Sequence, residues 1–280
     1  MELKGLVGSQ SKLSSSSKFQ RMLIQTWAFL FKNWIVTKRN AFSLFEILFW
    51  PTVGFFSVGL LTRFLDLDAD MSSFILIGII SMSLIQVCQI DVAYGLLYDL
   101  WSKSLKHTFM APVHSFQLIL GSWMFGIVRS LFVFLFLSVA SHLAFGFDFF
   151  QPGVGALVLF LLGLFGISLV IGIAVCILVL LFGYKADVAA WSFSYLMALL
   201  CGIYYPISIL PSPLPEIARI IPLTYFLEFF RTFYGYQGGF DCLLGWGFGL
   251  TGLYLIVEAI LFKAVLRRAK RIGTLNKLSE

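Results

Sequence analysis

Charged residues are scarce in this sequence of 280 residues. Asp, Glu, Lys and Arg make up only 12% of it, and 59% is hydrophobic, whereas a soluble domain carries about 25% charged residues. This deficit excludes an ordinary soluble domain and predicts a protein that lies mostly in lipid. Six membrane-spanning helices of roughly 20 to 25 residues each use up most of the chain. No room is left for a separate catalytic domain.

The motifs that carry catalysis or metal binding are missing as well. The three histidines share no metal-ligand spacing such as His-x-x-x-His, and the four cysteines form no Cys-x-x-Cys pair. There is no Gly-x-Ser-x-Gly nucleophile motif and no Gly-x-x-x-x-Gly-Lys-[Ser/Thr] phosphate loop. We therefore expect no catalytic residues, no metal site and no cofactor in this chain.

What is present are long apolar runs separated by polar stretches, which predict an all-α integral membrane protein. We expect a six-helix transmembrane domain at residues 41–265, between a flexible cytoplasmic tail at 1–18 and a basic cytoplasmic tail at 266–280. The expected spans are residues 44–65, 73–98, 116–145, 153–182, 186–205 and 241–262. The fourth run is about 45 Å long as a helix, so it is tilted or projects from a hydrocarbon layer of about 30 Å.

The basic residues indicate the orientation. With the N-terminus inside, sixteen of the twenty Lys and Arg residues lie on the cytoplasmic side, as the positive-inside rule requires. This predicts a multi-pass protein of the cell membrane with both termini cytoplasmic. It also removes the argument that the basic excess serves nucleic-acid binding.

Residues 19–40 form an amphipathic pattern before the first span. Phe19, Leu23, Trp27, Leu30 and Trp34 recur at helical spacing, with basic and polar residues opposite. The pattern predicts a helix in the membrane interface; the alternative is a soluble amphipathic helix packed on a partner.

The polar stretch at 99–115 contains a second amphipathic segment, on the cytoplasmic side. Apolar residues alternate with basic ones there and stop before a proline. The candidate contact residues for a partner protein are Trp101, Lys103, Leu105, Lys106, Phe109 and Pro112. The segment either docks on such a partner or merely caps the bundle.

Residues 206–239 predict a helical hairpin that dips into the outer leaflet. Five prolines fall in this stretch, and proline breaks a helix, so the fifth span cannot continue through lipid. Short helices fit between the prolines, and Glu228 and Arg231 are spaced to form a pair. The residues assigned to this outer hairpin are Pro215, Pro222, Tyr225, Glu228 and Arg231; an ordinary extracellular loop is the alternative.

Two ionisable residues lie deep inside predicted spans, where charge is costly. Asp91 of the second span and Arg129 of the third can meet if these helices are neighbours. A structural ion pair, a role in moving a substrate, and exposure to an aqueous cavity all remain open.

Two sequence stretches resemble those of a known family. Leu214-Pro215 followed by Ile221-Pro222-Leu223-Thr224-Tyr225 and Arg231 looks like the Leu-Pro…Asn-Pro-Leu-Thr-Tyr…Arg stretch of ABC-2 type (ABCG-like) exporter permeases, with Ile221 in place of the frequent Asn. Ala111-Pro112-Val113 and then Leu120-Gly121 resemble the pattern at that family's coupling helix. The order of elements matches over nearly the whole chain.

The resemblance implies a division of labour between subunits. Two permease subunits, either two copies of this chain or a copy and a close paralogue, would form the substrate path in the lipid membrane. Two separate ABC ATPase subunits would bind ATP and Mg and drive it. A non-transporting scaffold or assembly factor is the rival interpretation, and a secondary transporter is a third. The substrate does not follow from the sequence.

Overall fold

The computed structural model describes residues 18–104, 108, 115–236, 239 and 242–272, and the described ranges are helical apart from short turns. The chain begins with five long helices, in the order α1 (Lys18–Arg39), α2 (Ala41–Phe64), α3 (Ala69–Trp101), α4 (Ser115–Phe145) and α5 (Val154–Phe182). A 3₁₀ turn at Gly183–Ala186 leads into α6 (Asp187–Leu200). After a second 3₁₀ turn at Ile207–Ile209 come α7 (Leu214–Ile220), α8 (Pro222–Thr232) and α9 (Leu243–Ile272).

Within these ranges, five helices are long and apolar enough to cross a membrane. They are α2, α3, α4, α5 and α9. Together with the 59% hydrophobic composition, they make the chain an all-helical, multi-pass membrane protein.

The expected fifth span is shorter than the sequence predicted. Helix α6 has 14 residues and is about 21 Å long, and it ends at Leu200 rather than at residue 205. Gly202 adopts a φ of +70° and Pro206 follows, so the backbone turns away before a sixth full-length helix is complete. By length and composition, the described residues therefore contain five transmembrane helices and not the predicted six.

Helix α3 is the centre of the bundle. It packs against α2, α4, α5 and α6, and its buried side chains run from Phe74 to Leu100. The approach to α4 is close, because a Cβ added at Gly126 would lie 2.8 Å from the carbonyl oxygen of Cys88. Helices α2 and α9 lie at the edge and expose large apolar side chains such as Phe45, Trp50, Trp246 and Ile256.

Helix α1 packs its polar side on the protein. Asn33 and Thr37 are buried, whereas Leu23, Trp27 and Trp34 are exposed. The side chain of Asn33 donates a hydrogen bond to Ser122 Oγ of α4 at 2.8 Å. We call the end of the bundle at which α1 contacts α4 the α1 end. The opposite end holds α7 and α8, and we call it the hairpin end.

Helix α8 is wedged between α5 and α9 by its aromatic side chains. Phe226 and Phe230 are fully buried. Phe230 stacks on Phe160 with ring centroids 4.2 Å apart and on Phe149 at 4.9 Å. The short helices are thus held by packing rather than by their own length, since 7- and 11-residue helices are marginal alone.

Candidate functional site

Asp99 joins three segments at the α1 end. Its carboxylate forms an ion pair with Lys32 of α1 and accepts hydrogen bonds from Ser104 Oγ at 3.2 Å and Thr108 Oγ1 at 2.9 Å. Asp99 lies in the last turns of α3 and is almost fully buried. The carboxylate therefore ties α1, α3 and the chain that leaves α3 to one point.

The predicted partner-contact segment is only partly described. Trp101 is the last residue of α3, because the amide of Ser102 still donates to the Tyr98 carbonyl at 2.9 Å. Its assignment to the amphipathic segment that follows the second span was therefore wrong; its ring packs on Tyr94 and Tyr98 at about 5.4 Å and 5.5 Å. Lys103 follows in the turn, with a φ of +56°. Leu105, Lys106, Phe109 and Pro112 lie outside the described residues.

Asp91 and Arg129 are brought together deep in the bundle. They form a salt bridge between α3 and α4, and the side chain of Asp91 is only 7% exposed. The second carboxylate oxygen, Oδ2, is buried without a hydrogen-bond partner among the described residues. Both side chains line a cavity that also touches α2 and α6. The pair is therefore bound internally and still faces a cavity.

Arg231 is a buried anchor at the hairpin end. It donates to the carbonyl oxygens of Gly202 at 2.7 Å, Phe74 at 3.0 Å and Ile203 at 3.1 Å, and its guanidinium lies 3.3 Å from the centroid of the Phe74 ring. Its expected pairing with Glu228 is not observed: both are described, and they are not within ion-pair distance. The carbonyls at the end of α6 draw Arg231 inward, because they have no helical partners of their own.

The other predicted hairpin residues lie in α7 and α8. Pro222 begins α8 and Pro215 lies in the first turn of α7, where proline loses no helical hydrogen bond. Tyr225 Oη donates to the Arg219 carbonyl at 2.8 Å. Glu228 accepts from the Gly239 amide at 3.2 Å. Burial raises the pKa of Glu228, while this amide and the charge of Arg231 act in the opposite direction.

A cavity of about 290 Å³ adjoins these residues. Its lining includes Glu228, Arg231, Thr224 and Tyr236. Three of the predicted hairpin residues, Pro215, Glu228 and Arg231, line this cavity, whereas the partner that the sequence suggested for Arg231 was wrong.

Several contacts were missed by sequence reasoning. Lys32 belongs to the basic face that the sequence predicts for α1, and Asn33 was not singled out, yet both bond to the bundle. Gln89 of α3 donates to the Ala190 carbonyl at 2.7 Å and to Ser194 Oγ at 3.1 Å, both in α6. The available signal was a polar side chain inside an otherwise apolar run, which is costly in lipid unless it is bonded.

Comparison with known proteins identifies the family of this chain. A family model described as ABC-2 type transporter matches residues 24–234, from α1 to the turn after α8. The chain belongs to the ABC-2 type transporter family and is the membrane component of such a transporter. An uncharacterized protein of Archaeoglobus fulgidus is 46% identical over 57 residues, which cover 20% of this chain and 89% of that protein.

Proposed function

We propose that this chain is the permease subunit of an ATP-driven exporter and that it works as a dimer with two separate ATPase subunits. The observation that carries the proposal is the Asp99 junction within an ABC-2 membrane domain. A force applied to the segment after Trp101 would reach α3 directly and α1 through the Lys32–Asp99 ion pair. The partner ATPases would supply ATP and Mg.

The proposal includes six crossings with both termini in the cytoplasm. Helix α6 is short, but its neighbours support a crossing: it meets α3 at Gln89, and the turn after it meets Phe74 through Arg231. The stretch of α3 from Phe74 to Gln89 rises about 22 Å. The first turn of α6 and the preceding 3₁₀ turn add about 10 Å, which together approach the thickness of the hydrocarbon layer.

The exposed side chains support the proposed lipid contacts of α1 and of the hairpin. Trp27, Phe31 and Trp34 of α1 are exposed on the side away from α4, as expected for a helix in the membrane interface. Ile217 and Ile220 of α7 are likewise exposed, which fits a hairpin that dips into the outer leaflet. We propose cytoplasmic tails at 1–18 and 266–280, with Lys18 in the first turn of α1 and residues 266–272 in the last turns of α9.

The proposed mechanism has two states. Closure of the ATPases on ATP pushes the segment that includes Phe109 and Pro112. Helices α3 and α4 then tilt and switch the path between inward-open and outward-open forms. Such a switch requires contacts that differ between the states.

The test is reconstitution of the chain with the ATPase that co-purifies with it. We expect ATP hydrolysis and substrate efflux in vesicles only when both are present. Phe109→Ala and Pro112→Ala should uncouple hydrolysis from efflux while assembly persists, and the control Phe150→Ala at the hairpin end should behave as wild type. Full transport in both variants would contradict this role of the segment. Efflux driven by a proton gradient alone would favour a secondary transporter. The absence of any transport would favour a scaffold.

A further inference from the structure

An aromatic cavity lies beside the Asp91–Arg129 pair. Its volume is about 120 Å³, and it is lined by residues of α2, α3, α4 and α6. Four aromatic side chains line it: Trp50, Tyr94, Tyr98 and Trp191. At about 30 Å³ for each water molecule, this is the size of a headgroup and is well below the 300 Å³ or more of a typical drug site.

The charges around the cavity favour a cation. Arg129 lines it but is paired with Asp91. Glu46 lines the cavity as a second carboxylate. The Oδ2 atom of Asp91 is buried in the wall and lacks a hydrogen-bond partner in the described part of the chain. The described lining of the cavity therefore carries two carboxylates against one guanidinium.

The cavity continues into an apolar aromatic surface on α2. Trp50 is 55% exposed, and Phe49 and Phe45 are exposed beside it. The rings contact in sequence, with centroids 4.9 Å apart for Phe45 and Phe49 and 5.3 Å apart for Phe49 and Trp50. An apolar group attached to a headgroup in the cavity can lie along these rings without meeting water.

We propose that this cavity binds the cationic ammonium head of an amphiphile, whose apolar tail lies on Phe45 and Phe49. Aromatic rings such as these four attract a cation through their quadrupoles, most strongly when the site is desolvated. Glu46 supplies the balancing charge. As a substrate site, the cavity rests on the proposed export function. The substrate class is then amphiphilic organic cations.

The test measures binding without the ATPase or any transport step. The purified chain, in an uncharged polyoxyethylene detergent, is titrated with benzyltrimethylammonium by isothermal calorimetry. We expect saturable binding that choline displaces and that 3,3-dimethylbutan-1-ol, which has the same shape without the charge, displaces at least about tenfold less well. Equal displacement by the two compounds, displacement by glucose instead, or no binding would each overturn the proposal.

Matched variants locate the site. Glu46→Gln and Trp191→Leu should each weaken binding about tenfold, whereas Glu46→Asp and the distant control Glu216→Gln should bind as the wild type does. Thermal unfolding of each variant shows whether it is folded. Unchanged affinity in folded Glu46→Gln and Trp191→Leu would place the cation elsewhere. Because the measurement needs no partner, its failure leaves the proposed export function to be judged by the vesicle assay.

Discussion

Buried charges in this protein are stabilised in two different ways. Among the described residues, no carboxylate lies at ion-pair distance from Arg231; the guanidinium is held by three backbone carbonyls and an aromatic face. Arg129 is held by a carboxylate, Asp91. Removing either group leaves polar atoms in a low-dielectric environment, where an unsatisfied partner is costly.

Arg231→Met should lower the free energy of unfolding by at least about 3 kcal/mol, since each of the three carbonyls left unpaired costs about 1–3 kcal/mol. The measurement is unfolding by SDS titrated into neutral micelles. Arg63→Met, which removes an exposed arginine, serves as control and should change stability by less than about 0.5 kcal/mol. Equal losses in both variants would refute an anchoring role for Arg231.

Asp91→Asn and Arg129→Gln should each lower the free energy of unfolding by about 3–5 kcal/mol, because each single change removes the charge that balances the other. The double variant should lose less than the sum of the two. SDS unfolding of all four proteins completes the cycle. Strictly additive losses would mean that the two charges do not interact.

At the scale of the helices, packing decides what amphipathicity leaves open. Both faces of α1 were visible in the sequence, but periodicity does not tell which face meets protein and which meets lipid. Asn33 and Lys32 find partners on α4 and α3, so the polar face is inside. The end of α6 was missed for a similar reason, because apolar residues continue through Ile203 to Tyr205 while Gly202 turns the backbone.

Gly121→Ala should displace α1 from α4. A Cβ at this position would lie 2.6 Å from Phe29 Cβ and 2.7 Å from the Thr26 carbonyl oxygen, and such overpacking costs about 1–3 kcal/mol. The yield of a disulfide between Asn33→Cys and Ser122→Cys reports the distance between the two helices. This yield should be lower when Gly121→Ala is added.

Gly155→Ala is the matched control, since a Cβ at Gly155 in α5 meets nothing within 4 Å. Its crosslinking yield should equal that of the parent protein. An undiminished yield in Gly121→Ala would show that α1 does not depend on this close approach.

For the whole molecule, the decisive question is whether α6 crosses the membrane. If it does, Lys185 before α6 and Glu216 after it lie on opposite sides. Cysteines introduced at these exposed positions, in a Cys242→Ser background, should react with an impermeant maleimide from opposite faces of sealed vesicles. Asp66→Cys should react from the same side as Glu216→Cys. Reaction of positions 185 and 216 from the same side would reduce the crossings to five.

The sequence by itself determined that this chain belongs in lipid, that four long helices and a final one lie where its uncharged runs lie, and that prolines interrupt it before the last helix. These properties depend on local composition, hydropathy and backbone chemistry. Only the tertiary structure decided that Arg231 bonds to carbonyls, that Asp99 joins α1 to α3, and that Asp91 faces an aromatic cavity. Those outcomes depend on which helices become neighbours. A single sequence does not indicate that residues 67 or 157 positions apart are in contact.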